Sequence, residues 1–209
     1  MKITYVELKN ISFEEIKDAV DLLPKKRREK IARYRFEKDK LLSLAAGLLI
    51  RREIGESPLT YGEHGKPYAA ESFRTANHPS FFSVSHSGNI AAIAVDDREL
   101  GLDVELIPSE DRLRLADRFY HPNERDYVRS APDQPFAFCE IWTRKEAYLK
   151  MTGEGISTDL TAFDTTSFPL KEQLFTAALA GYCLSVCSEI PIDEGEIQIS
   201  NIELKSLLP

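Results

Sequence analysis

The sequence predicts a mixed α+β protein made of two halves, each running from helices into strands, and three observations carry this reading. Residues 101–107 alternate, with apolar Leu102, Val104 and Leu106 interleaved with Asp103 and Glu105, a period of two that specifies a strand. Residues 39–54 and 135–151 read instead as long helices, the first with a broad apolar face built from Leu41, Leu42, Leu44, Ala45, Leu48 and Leu49. Hydrophobic residues make up 43% of the 209, enough for a proper core. No apolar run reaches the roughly 18 residues of a membrane helix.

Taken in order, residues 1–8 alternate as a strand and lack the apolar stretch of a signal peptide, so a cytoplasmic location is expected. Ser12 followed by Glu15 forms a capping box that starts a helix at Phe13. Pro24 suits the first turn of a second helix, extending to about Arg35. Asp39 opens the third, and Gly55 is a natural stop. Residues 62–67 read as a loop containing Gly65, Lys66 and Pro67. Strands follow at 81–88, 90–95 and 101–107, with a turn at 96–99. Short helices at 111–118 and 123–129 precede the long one at 135–151, which ends at Gly153 and Gly155. Further strands are expected at 160–165, 173–180, 182–188 and 197–204.

The charge is uneven. The chain carries −7 overall, yet residues 25–40 hold nine basic and three acidic residues, leaving −13 for the remainder. A globally acidic chain with one basic segment does not resemble a duplex-DNA binder and points to a local anion site. The basic helix is either a solvated face or a clamp for a phosphate. Three scattered cysteines exclude a disulfide framework. Cys183 and Cys187 would stand about 13 Å apart along a strand, which leaves them a packing role. His64, His78 and His121 adjoin Gly or Pro and read as loop residues, not metal ligands.

On the strand at 101–107, Asp103 and Glu105 share a face and lie about 7 Å apart. They are either the solvated side of an amphipathic strand or oxygen ligands for a hard cation such as Mg²⁺, and these residues alone leave both open. Ser85, His86 and Ser87 at a strand end offer hydroxyls, an imidazole and backbone N–H groups suited to phosphate oxygens. Trp142, Glu146 and Lys150 recur every four residues and line one side of the long helix.

Four blocks in this order carry a family resemblance. They are Gly-Lys-Pro at 65–67, Phe-Ser-Val-Ser-His-Ser at 82–87, Gly-Leu-Asp-Val-Glu at 101–105 and Trp-Thr-Arg-Lys-Glu-Ala-Tyr-Leu-Lys at 142–150. Together they resemble the 4′-phosphopantetheinyl transferases of the two-lobed, surfactin-synthetase-activating type. That resemblance implies two similar α+β lobes related by a pseudo-two-fold axis, here residues 1–98 and 99–209, with the active site between them. It implies a monomer that moves the phosphopantetheine arm of coenzyme A to a serine of an apo carrier protein. The reaction would depend on Mg²⁺ and release adenosine 3′,5′-bisphosphate, with neither nucleic acid nor membrane as partner.

Carried over residue by residue, Asp103, Glu105 and Glu146 would bind Mg²⁺, and Glu146 would also serve as general base, with Glu124 the next candidate. Lys150 would stabilise pyrophosphate charge, helped by Lys145. Ser85 and His86 would touch the phosphates, Lys66 and Pro67 would lie against the adenine, and Arg27 and Lys30 would hold the 3′-phosphate. Where members often carry an arginine this chain has Leu42, with Lys40 as the substitute. Arg112, Arg114 and Arg118 would face an acidic carrier helix. Two rival classes use the same residues: a Mg²⁺-dependent hydrolase with water as nucleophile, and a coenzyme A-binding protein without activity.

Overall fold

Alternation in the strand Ile90–Asp96 (β5) fixes the layering of the molecule. Ala91, Ile93 and Val95 face one way, into a core shared with Leu41, Leu44, Leu48 and Leu49 of the helix Glu37–Ile54 (α3). Ile90, Ala92 and Ala94 face the other, into a second core with Leu102 and Val104 of β6 (Leu100–Leu106) and Leu184 and Val186 of β8 (Tyr182–Ser188). A sheet with two apolar faces needs cover on both, and here one cover is a helix and the other a second sheet. The computed structural model describes residues 1–70, 79, 81–155 and 158–208. The expected loop residue His78 lies outside them.

The first sheet orders β4 (Phe81–Ser87), β5, β1 (Lys2–Glu7) and β9 (Gln198–Asn201), with β9 parallel to β1 and the other pairs antiparallel. The second orders β6, β8 and β7 (Leu174–Leu179), all antiparallel. In its register Asp103 opposes Ser185 and Glu105 opposes Cys183. Helices α1 (Phe13–Ile16) and α2 (Lys25–Arg33) precede α3. Between β6 and β7 run α4 (Leu113–Phe119), α5 (Pro122–Ser130) and α6 (Gln134–Thr152). The Ser12 capping box forms as expected, Glu15 accepting from the Ser12 backbone N–H at 3.1 Å and its hydroxyl at 2.8 Å. All three cysteines are free and buried. Among the described residues no helix is long and apolar enough to cross a membrane.

Long helix α6 lies directly on β6, and Gly101 permits the approach. A Cβ there would stand 2.0 Å from the Ala147 carbonyl oxygen and 2.4 Å from the Met151 nitrogen. On the face of β6 that bears Asp103 and Glu105, α6 therefore covers Asp103 and leaves Glu105 partly exposed. Asp103 is 3% exposed, which removes the reading of a solvated acidic strand face.

Two expectations fail. Residues 160–165 do not form a strand; Leu160–Ala162 is a single 3-10 turn. The backbone of this segment is satisfied by a buried ion pair and not by a neighbouring strand. Lys145 Nζ donates to the Leu160 and Phe163 carbonyls at 2.7 and 2.8 Å, and Glu124 Oε1 accepts from the Thr165 N–H at 2.8 Å. The strand expected at 197–204 is cut short to Gln198–Asn201, with a 3-10 turn at Leu204–Leu207; the loop expected at 62–67 does form, as the turn of the hairpin β2 (Leu59–Tyr61) and β3 (Pro67–Ala69).

Candidate active site

Strands β4 and β6 lie side by side but belong to different sheets, and serines replace the missing ladder between them. Ser83 Oγ accepts from the Leu102 N–H at 2.9 Å, and Ser85 donates to Asp103 Oδ1 at 2.8 Å. Ser87 donates to Glu105 Oε2 at 2.6 Å and accepts from the Leu106 N–H at 3.4 Å. From above, α6 contributes Lys150, whose Nζ reaches Asp103 Oδ1 at 2.7 Å and Ser85 Oγ at 2.9 Å. Asp103 Oδ2 is buried and has no hydrogen-bond partner among the described residues.

Glu146 sits one turn before Lys150 on the same helix. Burial pushes its carboxyl above the usual range, and the Asp103 charge adds to this while Lys150 opposes it. Glu105 is also raised, first by burial, against the Ser87 hydrogen bond, with Asp103 adding. These shifts share one physical origin: carboxylates crowded into a partly dehydrated wall. Among the described residues, no group of three or more His, Cys, Asp or Glu side chains is arranged to hold a metal ion.

All three carboxylates line one cavity of about 970 Å³, together with Lys150, Ser85, His86, Lys66, Pro67, Arg27 and Lys30. Lys26, Arg27, Lys30 and Arg33 of α2 line it as well, with Glu29 among them. Among the described residues none of these four cations forms an ion pair, although Lys25 and Arg28 of the same helix each have an acidic partner. Lys26 Nζ lies 3.5 Å from the centroid of the Tyr61 ring, which also lines the cavity. Packing around His86, with Lys30, Lys150 and Arg27 nearby, lowers its imidazole below the ordinary value. The cavity thus gathers cations and carboxylates in one lining, a combination suited to a polyanion bearing a reactive phosphorus.

Several expected residues lie elsewhere or act otherwise. Lys145 is not on the cavity wall; it is fully enclosed and paired with Glu124 at 2.7 Å. Glu124 is equally buried, so neither a phosphate helper nor an alternative base is found there. Lys40 does not line the cavity; its Nζ lies 5.6 Å from the Phe13 ring centroid, and Leu42 is core. Lys66 does line it, but its ammonium pairs with Glu99 and donates to the Leu100 and Met151 carbonyls, both at 3.2 Å. Only the stem of Lys66 is left to face a ligand. Tyr61 was not singled out from the sequence, and Lys26 and Arg33 entered only as members of the basic helix that could clamp a phosphate. Positions 26, 30 and 33 follow the i, i+4, i+7 spacing of one helical face, the signal that finds the two basic residues.

Comparison with known proteins places this geometry. A family model described as the 4′-phosphopantetheinyl transferase superfamily matches residues 99–194, and one described as 4′-phosphopantetheinyl transferase, N-terminal, matches residues 10–98. The 4′-phosphopantetheinyl transferase HetI of Nostoc sp. is 41% identical over 109 residues, covering 50% of this chain and 45% of HetI. A putative 4′-phosphopantetheinyl transferase of Synechocystis sp. is 35% identical over 140 residues, 61% of this chain and 56% of that one. The matches thus span about half the length of these two relatives. The 4′-phosphopantetheinyl transferase psf-1 of Bacillus pumilus is 34% identical over 179 residues, 78% of this chain and 73% of psf-1. With this extent of similarity across both halves, the chain belongs to the 4′-phosphopantetheinyl transferase family.

Proposed function

We propose that this chain transfers the 4′-phosphopantetheine arm of coenzyme A to a serine hydroxyl of an apo carrier protein, with release of adenosine 3′,5′-bisphosphate. The observation that carries the reading is a cavity lined both by cations of α2 that have no ion-pair partner among the described residues and by the carboxylates of β6 and α6. Its volume, about 970 Å³, suits a ligand as large as coenzyme A.

In this reading Arg27 and Lys30 hold the 3′-phosphate, Pro67 and the stem of Lys66 lie against the adenine, and Ser85 and His86 touch the phosphates. Lys150 stabilises charge on the pyrophosphate. Glu146, its basicity increased by burial, accepts the proton of the carrier serine as the new P–O bond forms and the bond to the leaving nucleotide breaks. Asp103, Glu105 and Glu146 are the residues that would hold Mg²⁺. Their hard oxygens and the Asp103 Oδ2, unpartnered among the described residues, fit such an ion in kind. Bound there, Mg²⁺ would neutralise the pyrophosphate and polarise the attacked phosphorus.

We read residues 1–98 and 99–209 as two lobes related by a pseudo-two-fold axis, with the C-terminal end crossing back: β9 pairs with β1, and Leu204 and Leu207 join the core around α3. Each lobe supplies a long helix packed on antiparallel strands, α3 on β5 and α6 on β6 and β8. The enzyme acts as a cytoplasmic monomer. The test is intact-mass spectrometry of a panel of apo carrier proteins incubated with the chain, coenzyme A and Mg²⁺. Gain of one phosphopantetheine mass on a carrier is the expected result. Release of nucleotide from coenzyme A alone, with every carrier unmodified, would establish a hydrolase in its place.

A further inference from the structure

We infer that Ser87 is a positioning residue that sets Glu105 for cation binding, an inference that rests on the Mg²⁺ reading above. Three facts lead to it. Glu105 and Asp103 share one face of β6, so their charges repel and each needs a partner to stay in place. Asp103 has two, the Ser85 hydroxyl and the Lys150 ammonium. Glu105 has one among the described residues: the Ser87 hydroxyl, at 2.6 Å from Oε2.

The Ser87 hydroxyl is itself held. It accepts the Leu106 N–H at 3.4 Å, and that acceptance aims its proton at the Glu105 carboxylate. Ser87 therefore ties one oxygen of Glu105 and leaves Oε1 without a protein donor among the described residues. An untethered glutamate samples several rotamers. An outer hydrogen bond that removes this freedom beforehand is the usual way a protein orients a metal-ligating carboxylate. Ser83, four residues back, differs: it accepts a backbone N–H and touches neither acidic side chain, so the comb of three serines divides into one joining residue and two orienting ones.

The measurement is Mn²⁺ binding to the full chain in the presence of coenzyme A, read from the EPR signal of free Mn²⁺, with a thermal melt beside each variant. Ser87→Ala is expected to weaken Mn²⁺ about 10–100-fold, the range for losing an outer-shell partner. Ser87→Thr keeps the hydroxyl and is expected to restore affinity to within about threefold of wild type. If Ser87→Ala lowers the melting temperature but leaves Mn²⁺ affinity within twofold, the serine only joins strands and the inference is wrong. Asp103→Asn separates this from failure of the underlying reading. Wild-type Mn²⁺ binding that is absent, or indifferent to Asp103→Asn, overturns the metal assignment and the role of Ser87 with it.

Discussion

Replacing Lys145 by Met removes an ammonium and keeps most of the stem, and its consequence separates a structural lysine from a substrate contact. Lys145 Nζ stands 2.7 Å from Glu124 Oε2 and also serves the Leu160 and Phe163 carbonyls, with both charged side chains at 0% exposure. Removing one partner of such a pair leaves a charge buried without compensation and costs about 3–5 kcal/mol. For a chain of this size each kcal/mol lowers the melting temperature by about 2–4 °C, so the expected drop is roughly 6–20 °C. Coenzyme A affinity, measured by calorimetry well below the melt, should change less than about threefold, because Lys145 is not on the cavity wall. A double variant adds a check. Lys145→Met with Glu124→Gln removes both charges and should recover part of the lost stability, since the lone carboxylate is the main cost. A melting temperature within about 2 °C of wild type, with a tenfold loss of coenzyme A affinity, would refute the structural assignment and return Lys145 to the phosphate site.

Two further outcomes test the cavity itself. Glu146→Gln keeps the shape but removes the proton acceptor, so kcat should fall about 10²–10⁴-fold with the KM for coenzyme A changed much less; unchanged kcat leaves Glu146 an ordinary helix residue. Replacing Arg27 and Lys30 together by Ala should weaken coenzyme A at least about tenfold more than dephospho-coenzyme A, as each charge-assisted hydrogen bond contributes about 1.5–3 kcal/mol. Equal weakening of both ligands would reduce the pair to general electrostatics.

Elements with strong periodicity were legible in the sequence. The alternation at 101–107 became β6, shifted by one residue, and the apolar stripe of 39–54 became α3, two residues longer at its start. The segment 160–165 was not legible, because its order comes from Lys145 and Glu124, on α6 and α5, which are distant in sequence. No local pattern announces that a backbone carbonyl will be met by a lysine from another helix. The hairpin at 59–69 has strands of only three residues, too short for alternation to speak. Nor could the sequence tell that α6 would cover Asp103, since that follows from a close approach at Gly101.

The site shows the same division one level up. Trp142, Glu146 and Lys150 share a helix side by spacing, and all three line the cavity. Lys145 is the sequence neighbour of Glu146, yet at about 100° per residue it points roughly 100° away from it and about 140° from Lys150. Adjacency along a helix is not adjacency in space, and Lys145 meets the 160–165 segment instead of the cleft. Composition cannot make the further distinction among lysines and arginines. Lys66 and Lys145 each have a carboxylate and two carbonyls to pair with, whereas Lys26, Arg27, Lys30 and Arg33 line the cavity with no ion-pair partner among the described residues. A lysine whose three N–H donors are all met within the fold has little left for a ligand, unlike Lys150, which has two acceptors; a cation held at a cavity wall without a counter-charge repels its like neighbours until an anion arrives. The basic run of α2 therefore becomes a binding surface only through which of its members the fold leaves unpaired.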